Sequence, residues 1–186
     1  VWLNATLKPF EKLTATAGLR LSTFSPLGGS LYYDLTPEGE IDWYYNYKKN
    51  KIVKTHIVWE PRVSLNFSLT PTLNVKAAYA RTSQNIHALR NQSTSTPFDR
   101  YTISSNIVEP EIADQITAGL FVVTPDETYD FSVEGYYRKV SNILDYRDGK
   151  TFRSEIEIER LILPGDGKAY GVEFLARKNN GRFTDS

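Results

Sequence analysis

The stretch EPRVSLNFSLTPTLNVKAAYAR, from Glu60 to Arg81, states the pattern of the whole chain. Val63, Leu65, Phe67 and Leu69 alternate with Arg62, Ser64, Asn66 and Ser68. After Thr70-Pro71-Thr72 the alternation resumes, with Leu73, Val75, Ala77 and Tyr79 against Asn74, Lys76, Ala78 and Ala80. Successive side chains of a strand point to opposite faces, so each arm has one apolar and one polar face. Proline removes a ladder donor and fixes its own φ, which sets the turn between the arms. The same alternation predicts strands over 1–7, 12–25, 112–123, 128–138 and 168–178. Lys8-Pro9-Phe10-Glu11 and Thr124-Pro125-Asp126-Glu127 form tight turns between them. Asn180-Gly181 signals one more hairpin, whose next strand starts at Arg182-Phe183-Thr184.

Long connections, about 26–56, 82–111 and 139–167, separate these hairpins. Tight and long links alternate along the chain, so tight turns gather at one end of the strands and long loops at the other. Loops beyond about 12–15 residues are uncommon in compact domains. The strands are as long as a bilayer crossing needs. The charges within them (Arg20, Arg62, Lys76, Asp130, Glu134, Glu173 and Arg177) fall opposite the apolar face. Trp2, Phe10, Tyr79, Tyr129, Tyr137 and Tyr170 lie near strand ends, where interfacial girdles sit, although aromatics are also ordinary strand formers. Short inner turns with long outer loops are the layout of outer-membrane barrels. The expected fold is therefore all-β, an antiparallel up-and-down transmembrane β-barrel wall. Residues 1–186 supply about seven to eight strands of a larger barrel, within one domain. A soluble β-sandwich binding or adhesin module, using the long loops for ligand recognition, alternates in the same way and stays open as the second reading.

Composition narrows the chemistry. Lys+Arg and Asp+Glu are both 22, and no basic run occurs, so nucleic acid is not an expected partner. Without cysteine there are no disulfides, thiolate metal sites or thiol catalysis. No apolar run is long enough for a membrane helix, which leaves strand-built walls untouched. Starting at Val1 and stopping at Ser186 shortly after a turn signal, the chain reads as a piece of a longer one.

His56 and His87 are the only histidines, in or near different long loops, and are expected at the surface with no metal site and no cofactor. Glu155, Glu157 and Glu159 alternate with Ile156 and Ile158, as a strand extension with a solvated acidic face. Asp145 and Asp148 lack the ligand spacing of a cation loop. Phosphate loops, nucleophile elbows and dinucleotide fingerprints are missing, so no enzyme is expected. The aromatic knot Trp43, Tyr44, Tyr45 and Tyr47 is the candidate for substrate contact, because flat faces with polar tips supply contact area at little entropic cost. The same knot equally reads as a loop packing on its own aromatics. Arg62, Lys76, Gln115, Glu134, Glu173 and Arg177 are expected to line a lumen or face a plug, or else to pair across strands as ladders.

Four stretches, in order, resemble the barrel of TonB-dependent outer-membrane receptors: EPRVSLNFSLTPTLNVKAAYARTSQ (Glu60–Gln84), EPEIADQITAGL (Glu109–Leu120), EGYYRKVSNILDYRDG (Glu134–Gly149) and GKAYGVEFLARKNNGRFT (Gly167–Thr184). The resemblance implies a barrel of about 22 strands, placed in the outer membrane of a Gram-negative bacterium. It also implies an N-terminal plug and a TonB complex as partners of the parent protein, with outer-membrane lipid around the wall. The implied activity is energy-coupled uptake of a scarce nutrient: a ferric siderophore, haem, cobalamin or a glycan.

Overall fold

A computed structural model describes residues 1–38, 40–89, 100–147 and 158–179. Its main feature is a seven-stranded antiparallel sheet. The strands are β1 (Trp2–Phe10), β2 (Leu13–Phe24), β5 (His56–Ser68), β6 (Leu73–Gln84), β9 (Glu111–Val123), β10 (Tyr129–Tyr146) and β11 (Ile162–Lys178), adjacent in that order. Two small hairpins stand in the long connections: β3 (Leu31–Leu35) with β4 (Ile41–Asn46), and β7 (Ile86–Leu89) with β8 (Arg100–Ile103). A 3₁₀ turn at Ile158–Leu161 leads into β11.

The register fixes the two faces. Ala5, Ala17, Val63, Tyr79, Ile116, Tyr137 and Tyr170 lie on one continuous row across the sheet. The next row on that face holds Leu7, Ala15, Leu65, Ala77, Ala118, Gly135 and Val172. Even in the central strands these apolar residues are open, with Leu65 at 43% and Ile116 at 57% exposure. A β-sandwich buries this face against a second sheet, and among the described residues nothing covers it. The buried apolar cluster lies instead at the sheet's long-loop end, where Leu89, Val108 and Ile162 pack with Ile107, Leu144, Tyr146 and Ile158.

The last hairpin is longer than alternation predicts. β10 continues past Arg138 to Tyr146, and β11 begins at Ile162. A bulge between Ser141 and Ile143 absorbs the irregularity, with Asn142 at a left-handed φ of 61° and its side-chain amide donating to the Pro110 carbonyl at 2.9 Å. Asparagine tolerates that conformation, and the extra residue resets the phase so that pairing resumes. Pro164-Gly165 sits within β11 rather than in a turn, which an edge strand permits. Both histidines depart from the expected surface placement: His56 is 5% and His87 3% exposed. The loops fold over them instead of leaving them in water. Asp148, Glu155, Glu157, Asn180-Gly181 and Arg182–Thr184 lie outside the described residues, and Glu159 belongs to the 3₁₀ turn.

Candidate functional site

The polar face carries the strand charges in ordered rows. Thr14, Asn66, Lys76, Gly119, Glu134 and Glu173 share one row. Asn4, Gly18, Arg62, Ala80, Gln115, Arg138 and Ala169 share another, nearer the long loops. Arg177 pairs with Asp130 at the tight-turn end of the same face and bonds its carboxylate. All six residues expected to face a lumen or plug therefore lie on one side of the sheet, opposite the apolar rows.

Their surroundings differ. Lys76 stands 4.1 Å over the Phe121 ring, a cation–π contact. Gly119 separates Lys76 from Glu134, and a Cβ there would come within 2.7 Å of Glu134 Cγ, so its lack of a side chain lets Glu134 lie flat. Glu134 and Glu173 are direct cross-strand neighbours, both exposed, and like charges so placed repel. Nearer the loops, Glu60 is 2% exposed and accepts from Ser83 Oγ at 2.6 Å and the Ser83 amide at 3.1 Å. Arg20 and Arg62 approach the same carboxylate at 3.6 and 3.9 Å, leaving their outer edges to a cavity of about 340 Å³ beside Trp2 and Asn4. Trp2 shares the row of Arg20 and Glu60, so it belongs to the polar face and not to an aromatic girdle. Trp59, on the apolar side, is 55% exposed there.

The aromatic knot forms the β3–β4 hairpin. Trp43 and Tyr44 are 65% and 52% exposed. Tyr45 and Tyr47 are half-buried and hold the hairpin together. The Tyr45 hydroxyl donates to Asp34 at 2.7 Å, which raises its pKa, and Tyr47 meets the Tyr32 ring edge-on at 5.7 Å. Alike in the sequence, the four fall by geometry into two pairs.

The segment 104–109 ties this hairpin to the sheet. Asn106 donates to the Tyr33 carbonyl at 2.8 Å and to Asp34 at 3.2 Å. Lys54 donates to the Asn106 carbonyl at 3.1 Å and to Glu109 at 2.5 Å. His56 donates from Nε2 to the Ser105 carbonyl at 2.8 Å, while its Nδ1 lies 3.2 Å from Glu109. Ser105 donates to Glu159 at 2.7 Å, and Arg160 pairs with Glu40 at 2.5 Å. Burial alone would raise the Glu109 carboxyl, but Lys54 and His56 outweigh it and hold the group below its usual value. His87 has no ordinary partner at either ring nitrogen among the described residues, and burial pushes its pKa down. None of these loop contacts follows from local sequence, because the partners stand far apart in the chain.

Residues 1–184 match the family model described as "TonB dependent receptor-like, beta-barrel". The chain belongs to that family, and its sheet is an open part of the barrel wall. Among solved structures, the Ferric-Catecholate import receptor Fiu from K12 E. coli, in its closed form, is similar at a TM-score of 0.56 and 16% identity. The match covers 97% of this chain and 25% of that receptor, so the chain spans about a quarter of its length. At that identity the likeness concerns the fold. No curated protein matches the chain.

Proposed function

We propose that this chain is a wall segment, with external loops, of an outer-membrane TonB-dependent receptor that takes up a scarce nutrient by energy-coupled transport. The observation that carries the reading is the division of one sheet into an uncovered apolar face and an opposite face holding the strand charges. Hydrocarbon is the solvent that leaves the first face stable, and a water-filled or plugged interior is what the second requires. Transport involves no bond chemistry in the wall, so the reading is that of a receptor and not of an enzyme.

Within it, Trp43 and Tyr44 meet the substrate at the external mouth, and Tyr45 and Tyr47 brace them. Arg62 and Gln115 line the lumen nearer that mouth. Lys76, Glu134 and Glu173 face the parent's own plug, and Arg177 steadies the periplasmic end through Asp130. Two adjacent carboxylates call for a cation between them, which the plug supplies. A ferric siderophore, haem, cobalamin or a glycan all suit aromatic contact. The full-length parent is expected to leave the membrane only with detergent and to show heat-modifiable gel mobility. Solubility in plain buffer with ordinary mobility would end the reading.

A further inference from the structure

Trp43 and Tyr44 stand on a two-stranded hairpin separate from the seven-stranded sheet. Two strands alone are marginally stable, so something outside the hairpin must hold its shape. Their direct partners on β3 are Asp34 and Tyr33, and one residue of another loop grips both. The Asn106 side-chain amide donates to the Tyr33 carbonyl at 2.8 Å and to Asp34 Oδ1 at 3.2 Å. An amide nitrogen has two protons to give, and both are used here. The second Asp34 oxygen accepts from the Tyr45 hydroxyl at 2.7 Å, which closes the link back onto β4. Tyr33, 4% exposed, meets the Tyr44 ring edge-on at 6.4 Å, so the grip reaches Tyr44 through packing as well as pairing.

Asn106 is itself held from the wall. Its carbonyl accepts from Lys54 at 3.1 Å. The Ser105 carbonyl beside it accepts from His56, the first residue of β5, and the Ser105 hydroxyl donates to Glu159 before β11. Residue 106 thus sits where the three long connections meet. The turn of the hairpin has holds of its own, Arg160 on Glu40 and Arg147 on the Pro37 carbonyl. Loss of Asn106 therefore frees the placement of the pair without casting off the hairpin.

We propose that Asn106 is a positioning residue for substrate recognition, fixing β3–β4 against the wall so that Trp43 and Tyr44 form one preformed surface. The inference rests on the reading of that pair as the substrate contact. A preformed surface binds without an ordering cost, whereas a released hairpin must be ordered by the substrate itself. Affinity then falls although no contacting atom is removed.

The test uses the full-length receptor in detergent micelles at pH 8. Hydrogen exchange by mass spectrometry compares β3 and β4 with the wall strands β5 and β6. N106A is expected to lower protection in β3 and β4 about tenfold and to leave β5 and β6 unchanged. N106D has the same shape but offers an acceptor to two acceptors, and should lose at least as much. The role-reversed pair D34N/N106D, in which residue 34 becomes the donor, should recover part of the protection. Binding is then measured by calorimetry with whichever of a ferric tris-catecholate, haemin, cyanocobalamin and maltoheptaose the wild type takes. N106A is expected to weaken it about tenfold, and to add little when combined with W43A/Y44A, since coupled residues are not additive. Unchanged exchange in N106A, a harmless N106D, or additive losses of binding would overturn the positioning role alone. Undiminished binding in W43A/Y44A would overturn the substrate role of the pair and this proposal with it.

Discussion

Single side chains in this molecule are sorted by what they touch more than by what they are. Tyr44 and Tyr45 are neighbours in sequence, yet one is open to solvent and the other is fixed to Asp34. On the proposed role at the external mouth, changing Trp43 and Tyr44 to alanine is expected to weaken substrate binding about tenfold or more with little loss of fold, as removal of exposed aromatic anchors does. Tyr45→Phe should act through hairpin stability, costing about 1 kcal/mol for the lost hydrogen bond. Calorimetry with the parent's substrate beside a thermal melt separates the two. Glu109 makes a second case. Its folded pKa lies below the ordinary value of 4.5, so the carboxylate's stabilising contribution is complete above that value. It is lost as pH falls through the lower folded value. Amide-exchange protection in residues 104–109, measured against the intrinsic rate at each pH, should fall on acidification below about pH 4.5, and Glu109→Gln should remove the step.

Strands are the elements the sequence declares most openly, and the adjacent pair Ser64 and Leu65 shows why. One residue of displacement moves a side chain from the charged face to the hydrocarbon face. Leu65→Arg is expected to cost about 2–4 kcal/mol in a bilayer, and Ser64→Arg, on the opposite face, far less. Unfolding of the full-length receptor in lipid vesicles measures both. Period-two alternation made β1, β2, β5, β6 and β9 legible to within a few residues, along with the faces of Arg62, Lys76, Gln115, Glu134, Glu173 and Arg177. It failed where geometry broke the period. Asn142 takes a left-handed φ and inserts a residue, so the alternation breaks before β10 ends. Pro164-Gly165 has the composition of a turn but is tolerated on an outermost strand. Inside the long loops, β3–β4 and β7–β8 gave no strong signal, because their positions depend on distant partners such as Asn106. For the same reason the burial of His56 and His87 was not readable. Nothing in their neighbours along the chain announces the loops that cover them.

At the scale of the whole molecule, the sheet has two ends that, among the described residues, face nothing of its own. β1 and β11 each pair on one side only, with β2 and β10 respectively. If residues 1–186 were produced without the rest of the parent, they are expected to aggregate or to pair edge to edge, and gel filtration in detergent would report oligomers in place of a single small species. Supplying the missing strands in full length should abolish those oligomers. Hydrocarbon offers no hydrogen bonds to the free amides and carbonyls along those two margins. Entering the bilayer and joining up with the remaining strands must therefore be a single event for this part of the wall, since neither half-finished state has a solvent that suits it.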